Sequence, residues 1–363
     1  MATKLTLLRS LFSGKSNTGV AIQTFAVKLL VLLVNLATGV ITARVLGPSG
    51  RGSLAAMSMW PQLLAFSFAI GVPKSLLYNL KASPENKSEL FTAATFLSVI
   101  LGIIASLVGV LCMPFWLSSY SSTIIRQAQF IVLMAPLPLL GVTFISSLEA
   151  QGKFTIANQA SYLRPLMTLS IILILISFDS ENPFYYSLSY SLPQIPIIVW
   201  MFIQITREYS IVIRRKLLIY RQLLGYGFRC YGSDLLILIS KQIGQVLAIG
   251  FLSAEDLGMY TIALNLTRPL NTFEGAINTA LFPKVASSSK SKAVKLVGKA
   301  TRVSLFLTFL TILPLAIISP FLLEFLYGTE FLDVVPTFRI LLIQVLFEGA
   351  TLVLGQLFMG SNR

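Results

Sequence analysis

Charged and amide side chains recur at helical spacing inside long apolar stretches of this chain. Lys28 and Asn35 stand seven residues apart, on one face of a helix; Asp234 and Lys241 repeat that spacing, with Gln245 one turn beyond. Arg268 precedes a stripe of Asn271, Glu274 and Asn278, while Arg164, Arg339 and Glu348 stand in further apolar runs. At membrane depth an ionisable group costs about 3 kcal/mol or more, so it faces a hydrated cavity or pairs with another group. These residue types bind rather than make bonds: Lys and Arg match a phosphate charge, and Asn and Gln hydrogen-bond sugar hydroxyls. Lys28, Asn35, Lys241, Gln245, Arg268 and Asn271 are therefore expected to line a net-positive cavity. Asp234, Glu274 and Glu348 either bind a coupling proton or cation or neutralise nearby Arg and Lys, for instance Asp234 with a neighbouring Lys. Snorkelling to the interface accounts for Lys74, Arg229, Arg302 and Arg339 near their helix ends.

Other chemistry is poorly supplied. The chain has no histidine, hence no His base, proton relay or His metal ligand. Cys112 and Cys230 lie in apolar stretches and form no CxxC. Without a paired-carboxylate, Ser-His or metal constellation, and with only short outward loops, no enzymatic centre, metal or cofactor is expected.

Helices must carry these side chains across a bilayer. Of 363 residues 55% are hydrophobic and 12% charged, and the mean hydropathy is +0.80. The net charge of +14 does not indicate a nucleic-acid binder, because soluble chains carry roughly 25% charged residues. Ten runs long enough to span a membrane are read at 20–43, 54–77, 90–117, 127–149, 156–178, 183–206, 224–251, 258–282, 300–324 and 334–359. They are continuous rather than alternating, which excludes a transmembrane β-barrel. Pro61, Pro136, Pro138, Pro193, Pro196, Pro269 and Pro314 interrupt them and free backbone carbonyls. Loops on the N-terminal side hold 17 Lys and Arg, against Arg44, Arg51 and Arg126 on the other side. The positive-inside rule then places the N-terminus in the cytoplasm. The basic stretch Lys284 to Lys299, interleaved with serines, reads as a cytoplasmic loop against anionic lipid headgroups.

An internal repeat organises the spans. Leu46-Gly47-Pro48-Ser49-Gly50-Arg51-Gly52 after span one corresponds to Leu252-Ser253-Ala254-Glu255-Asp256-Leu257-Gly258 after span seven, and Gln151-Gly152-Lys153 corresponds to Met359-Gly360-Ser361. A near-constant shift over four helices predicts two like-oriented six-helix halves. The domains expected are an N-terminal bundle over 1–206, a basic linker over 207–222 and a C-terminal bundle over 223–363. The fold class is an all-α integral membrane protein with ten helices of a twelve-helix, two-bundle transporter. By the repeat, the last two helices would fall beyond Arg363.

At these residues the sequence resembles the polysaccharide-biosynthesis flippases, the Wzx-type branch of the multidrug/oligosaccharidyl-lipid/polysaccharide exporter superfamily. The matching pieces are Ala43-Arg44-Val45-Leu46-Gly47-Pro48 with Gly50 and Gly52, then Gly71-Val72-Pro73-Lys74. In the second half they are Leu252 to Tyr260 with Ala263, then Ala280-Leu281-Phe282-Pro283-Lys284. The resemblance implies two bundles around a central cavity. It also implies alternating-access transport of undecaprenyl-pyrophosphate-linked oligosaccharide across the inner membrane, for O-antigen, lipopolysaccharide or exopolysaccharide. The partners implied are the lipid-linked oligosaccharide, anionic lipids and other polysaccharide-assembly membrane proteins, with no nucleic acid. Members of the family often carry an acidic residue in span seven where this chain has Gln245, which cannot carry a coupling proton as a carboxylate does. The alternative function is a multidrug cation antiporter of the same superfamily, against which the deep Lys and Arg count.

Overall fold

The computed structural model describes residues 17–212, 216–286 and 290–360; within them, the side chains of 17–22, 84, 271–286, 290–291, 293, 352 and 355–360 lie outside the description. The described residues are mostly helical, without strands. The helices are α1 (Asn17–Ser58), α2 (Trp60–Ser67), α3 (Val72–Ala82), α4 (Lys87–Trp116), α5 (Ser122–Val132), α6 (Pro136–Ala150), α7 (Phe154–Ser177), α8 (Pro183–Ser191), α9 (Gln194–Thr206), α10 (Leu217–Phe251), α11 (Ala254–Ala286), α12 (Lys290–Tyr327) and α13 (Val334–Gly360). All ten expected spans fall on these helices. Among the described residues eight segments are long and apolar enough to cross a membrane, the first two spans counting together as Gln23–Ser67 and the eighth span, on α11, not being among them. The chain is a multi-pass membrane protein.

Breaks occur where the backbone demands them. Residues 44–53, expected as a loop, are instead helical across a kink at Gly47, whose φ of 65° and ψ of −179° leave the helical region. Pro48 follows and restarts the helix, since it has no N–H to donate to an earlier turn. Span two divides into α2 and α3 through Ile70 (φ 45°) and Gly71 (φ 67°), with Pro73 in the first turn of α3. Spans four and six divide ahead of Pro136 and beside Pro193. Two of the expected loop boundaries also move. Residues 290–299 form the first turns of α12 rather than a loop, and α10 already begins at Leu217, so the non-helical part of the basic linker is shorter than 207–222.

The carbonyls that prolines free are taken up by side chains. Pro114 sits inside α4 and leaves the Val110 carbonyl without its helical donor; Gln129 Nε2 donates to it at 2.9 Å. The Val132 carbonyl, to which Pro136 cannot donate, accepts from the Ala135 N–H at 3.0 Å and from Ser106 Oγ at 3.1 Å. Pro320 inside α12 frees the Ala316 carbonyl, which accepts from Arg339 Nε at 3.0 Å and from Ser319 Oγ at 2.8 Å. Arg339 is thus held by the backbone of α12 rather than snorkelling, because a lipid-facing carbonyl needs an internal donor.

The chain divides into two compact units, Met1–Thr38 with Ser49–Leu257 and Gly39–Pro48 with Gly258–Arg363. In the first, α6 packs against α2, α3, α4, α7 and α9. Its Leu139, Phe144 and Leu148 meet Leu76 and Leu80 of α3, Phe91 of α4 and Met201 and Ile205 of α9 in one buried cluster. Gly102 and Gly109 let α4 approach closely: a Cβ on Gly102 would come within 2.5 Å of the Pro136 Cα. Helix α10, grouped by the repeat with the second half, packs on α2, α3 and α4 and belongs to this first unit. In the second unit α12 and α13 pack together through the turn Thr329–Phe331. Their Leu323, Tyr327, Phe331, Phe338 and Leu342 enclose Ile262 and Ala263 of α11 and Ala43 of α1. Arg44 Nε donates at 2.7 Å to the Leu326 carbonyl and Nη2 donates to that of Phe325, capping the last turn of α12.

Candidate functional site

The first unit carries most of the expected site residues. Lys28 and Asn35 lie exposed along α1, and α1 is tied to α7 where Asn158 Nδ2 donates to Thr24 Oγ1 at 3.1 Å. Spans one and five cross in the same direction. Lys28, one turn past Thr24, and Arg164, six residues past Asn158, therefore rise about 6 and 9 Å along their helices from that shared contact. Both lie within segments long and apolar enough to cross a membrane, and neither forms an ion pair with a described residue. Arg164 is half-buried.

On α10 the carboxylate and the cation of the repeat pattern do not meet each other. Asp234 accepts an ion pair from Lys74 of α3 instead, so the expectation that Lys74 snorkels gives way to interhelical pairing. Lys241, two turns on, is exposed and without an ion pair among described residues, and Gln245 is half-exposed beside it. In the second unit Arg268 is exposed and Glu348 half-buried, and each is engaged by a neighbour. The side chains of Asn271 and Glu274 lie outside the described residues, although α11 carries both positions.

The Lys74–Asp234 pair closes one end of a seam between α3 and α10 that the sequence reading did not single out. Gly71 and Gly227 abut so closely that a Cβ on Gly71 would stand 2.2 Å from the Gly227 carbonyl oxygen. Along the seam Ser75 Oγ donates to the Leu223 carbonyl at 2.7 Å, and Gln222 Nε2 donates to Asn79 Oδ1 at 2.8 Å. Tyr231 donates its hydroxyl proton to the Ser67 carbonyl, and Tyr78 and Tyr226 stack at 4.2 Å with their planes 8° apart. The available signal was Gly71-Val72-Pro73-Lys74, noted as a motif but not linked to Gly227.

An arrangement of cations, amides and hydroxyls within apolar spans, with no cluster of His, Cys, Asp or Glu fit to hold a metal among the described residues, can bind and release an anionic, hydroxyl-rich solute. Residues 41–336 match the polysaccharide biosynthesis protein family. The chain belongs to that family. No curated protein is matched. Solved structures share the fold. An inward-facing multidrug-resistance MATE transporter of the MOP superfamily superposes with a TM-score of 0.75 at 14% identity, covering 94% of this chain and 84% of that one. An outward-facing MATE transporter gives 0.62 at 15%, covering 94% and 81%. A MOP-superfamily transporter from Pyrococcus furiosus described by the reverse polarity of its binding pocket gives 0.60 at 14%, covering 94% and 83%. The polysaccharide-family protein thus shares the fold of the MATE transporters.

Proposed function

We propose that this protein is a transporter, a flippase that moves undecaprenyl-pyrophosphate-linked oligosaccharide across the inner membrane, with its N-terminus in the cytoplasm, by alternating access of two six-helix bundles. The observation that carries the reading is the set of cations within the apolar spans that pair with no acid among the described residues, Lys28 and Arg164 on α1 and α7 and Lys241 on α10. Burying a cation without a counter-ion is favourable only where a ligand brings negative charge or water reaches it. A pyrophosphate supplies that charge, and Asn35 and Gln245 offer hydrogen bonds to the glycan. Asp234 is already matched by Lys74, which argues against it as the coupling carboxylate in this state.

The MATE likeness keeps a multidrug cation antiporter as the second reading, but a cavity lined by Lys and Arg repels a cationic drug. The test is expression of the chain in cells lacking their own flippase, with surface glycan and efflux of a cationic dye measured side by side. Restored glycan that is lost in K28Q, R164Q or K241Q supports the flippase. Dye efflux without glycan overturns it.

A further inference from the structure

Within the first unit, on the far side of the α3–α10 seam, lies a recess of about 480 Å³ lined by Lys74, Leu77, Tyr78, Lys81, Ala82 and Tyr226. Lys74, Tyr78 and Lys81 are spaced four and three apart and so share one face of α3. Tyr226 reaches across from α10 and stacks on Tyr78, whose position in the sequence of α3 lies between those of Lys74 and Lys81. The charge count places this end of span two at the face that carries the N-terminus. Lys81 forms no ion pair with a described residue; the carboxylate that feels its charge is Glu149 of α6. Among the described residues Lys74 pairs with Asp234, Lys74 being exposed at 58% and Asp234 partly so at 30%.

We propose that this recess is a binding site for the phosphate group of a membrane-anchored phosphate ester, with Asp234 as the internal competitor for Lys74. The geometry suits that chemistry. Two lysines about 10 Å apart along the helix converge with flexible stems on one polyanion. The tyrosine pair offers an aromatic wall to the apolar chain or sugar beside it. The Lys74–Asp234 pair is open on its lysine side, where surface ion pairs are weak, and a diphosphate brings more charge to Lys74 than a single carboxylate does. When phosphate takes Lys74, Asp234 is released, and one of the ties that hold α10 to α3 is undone. Anion binding and the opening of the seam are thereby coupled.

The choice of an isoprenoid diphosphate as probe rests on the flippase reading; the binding measurement itself requires no transport. The purified full chain is placed in phosphatidylcholine nanodiscs and titrated with fluorescent farnesyl diphosphate. In parallel, nanodiscs containing phosphatidylglycerol show whether a phospholipid headgroup competes. K74Q and K81Q should each weaken binding about tenfold, the loss of one charged contact worth about 1.4 kcal/mol, and D234N should tighten it several-fold, because Lys74 is then free. Thermal unfolding of each variant confirms that it is folded, and the double variant K74Q/D234N, which removes the pair without leaving a lone charge, should bind as weakly as K74Q. Competition by phosphatidylglycerol identifies the source as a phospholipid headgroup, and its failure to compete identifies an isoprenoid diphosphate; either result supports the site. The proposal is overturned if K74Q and K81Q bind as the parent does, or if D234N weakens binding as K74Q does. Should glycan transport fail while farnesyl diphosphate binds in this pattern, the flippase reading falls and the recess stands; the opposite pair of results does the reverse.

Discussion

Replacing Gln129 by Ala removes the side chain that replaces a missing backbone donor, and the cost should vanish when the donor is put back. Pro114 lies inside α4 and, lacking an N–H, leaves the Val110 carbonyl without its helical partner. Gln129 Nε2 supplies the bond at 2.9 Å from α5. A net hydrogen bond contributes about 1 kcal/mol, and a carbonyl left unpaired away from water costs about 1–3 kcal/mol, so Q129A alone should lose about 2 kcal/mol. Pro114 is exposed, so P114A removes little packing, restores the amide that bonds Val110, and lifts a helix-interior penalty of roughly 3 kcal/mol. In the P114A background Q129A should therefore cost almost nothing, a coupling of about 2 kcal/mol between residues that do not bond to each other. The assay is apparent melting temperature of the four proteins in one detergent at one scan rate, where each kcal/mol moves the midpoint by about 2 °C. An equal loss from Q129A in both backgrounds would refute the idea that Gln129 substitutes for the proline's missing donor.

Further outcomes follow from other contacts. Gly227→Ala should be destabilising by about 1–3 kcal/mol, since its Cβ would stand 2.5 Å from the Ile70 carbonyl oxygen. Gly225→Ala and Gly232→Ala, on the same helix with nothing within 4 Å, should gain up to about 1 kcal/mol of helix propensity; melting temperatures of opposite sign check this. Arg44→Gln should lower stability by about 1 kcal/mol by uncapping the Phe325 and Leu326 carbonyls, read as earlier proteolysis near the α12–α13 turn. Ser98 and Thr143 bond at 2.8 Å between α4 and α6. Because Thr143 already donates to the Leu139 carbonyl at 2.9 Å, Ser98 is the donor, and T143V, which leaves that donor unmet, should cost more than S98A, by about 1 kcal/mol in thermal unfolding. Burial pushes the Tyr120 phenol in the α4–α5 turn up to about 12. Its folded value exceeds the unfolded one, so its contribution is complete below about pH 10 and is lost as the pH rises to 12, at most about 2–3 kcal/mol. A melting temperature that falls less steeply over that range in Y120F than in the parent is the expected result.

The elements of the fold were largely legible because the bilayer imposes a length and an apolar composition on every span, and all ten expected segments are helical in the structure. What composition alone could not show was where helices stop. Gly47-Pro48 looks like a loop motif, yet the chain resumes as helix within one residue, since proline is well suited to a first helical turn. Gly71-Val72-Pro73 looks similar and does divide its span, because Ile70 and Gly71 both take positive φ. The difference lies in what stands opposite. Gly71 abuts the backbone of Gly227, 156 residues later, and no local pattern encodes that approach. The same holds for the site. Helical spacing places Asp234 and Lys241 on one face and leaves interhelical pairing of Asp234 with a neighbouring lysine as one expectation, which Lys74 meets, but it could not say which lysine that would be. Two groups seven apart on one helix are separated by about 10 Å of rise, too far for direct pairing, whereas a crossing made close by two glycines brings Lys74 within reach. An acid within an apolar span is therefore better judged by which glycines let a neighbouring helix come near it than by the cations on its own face.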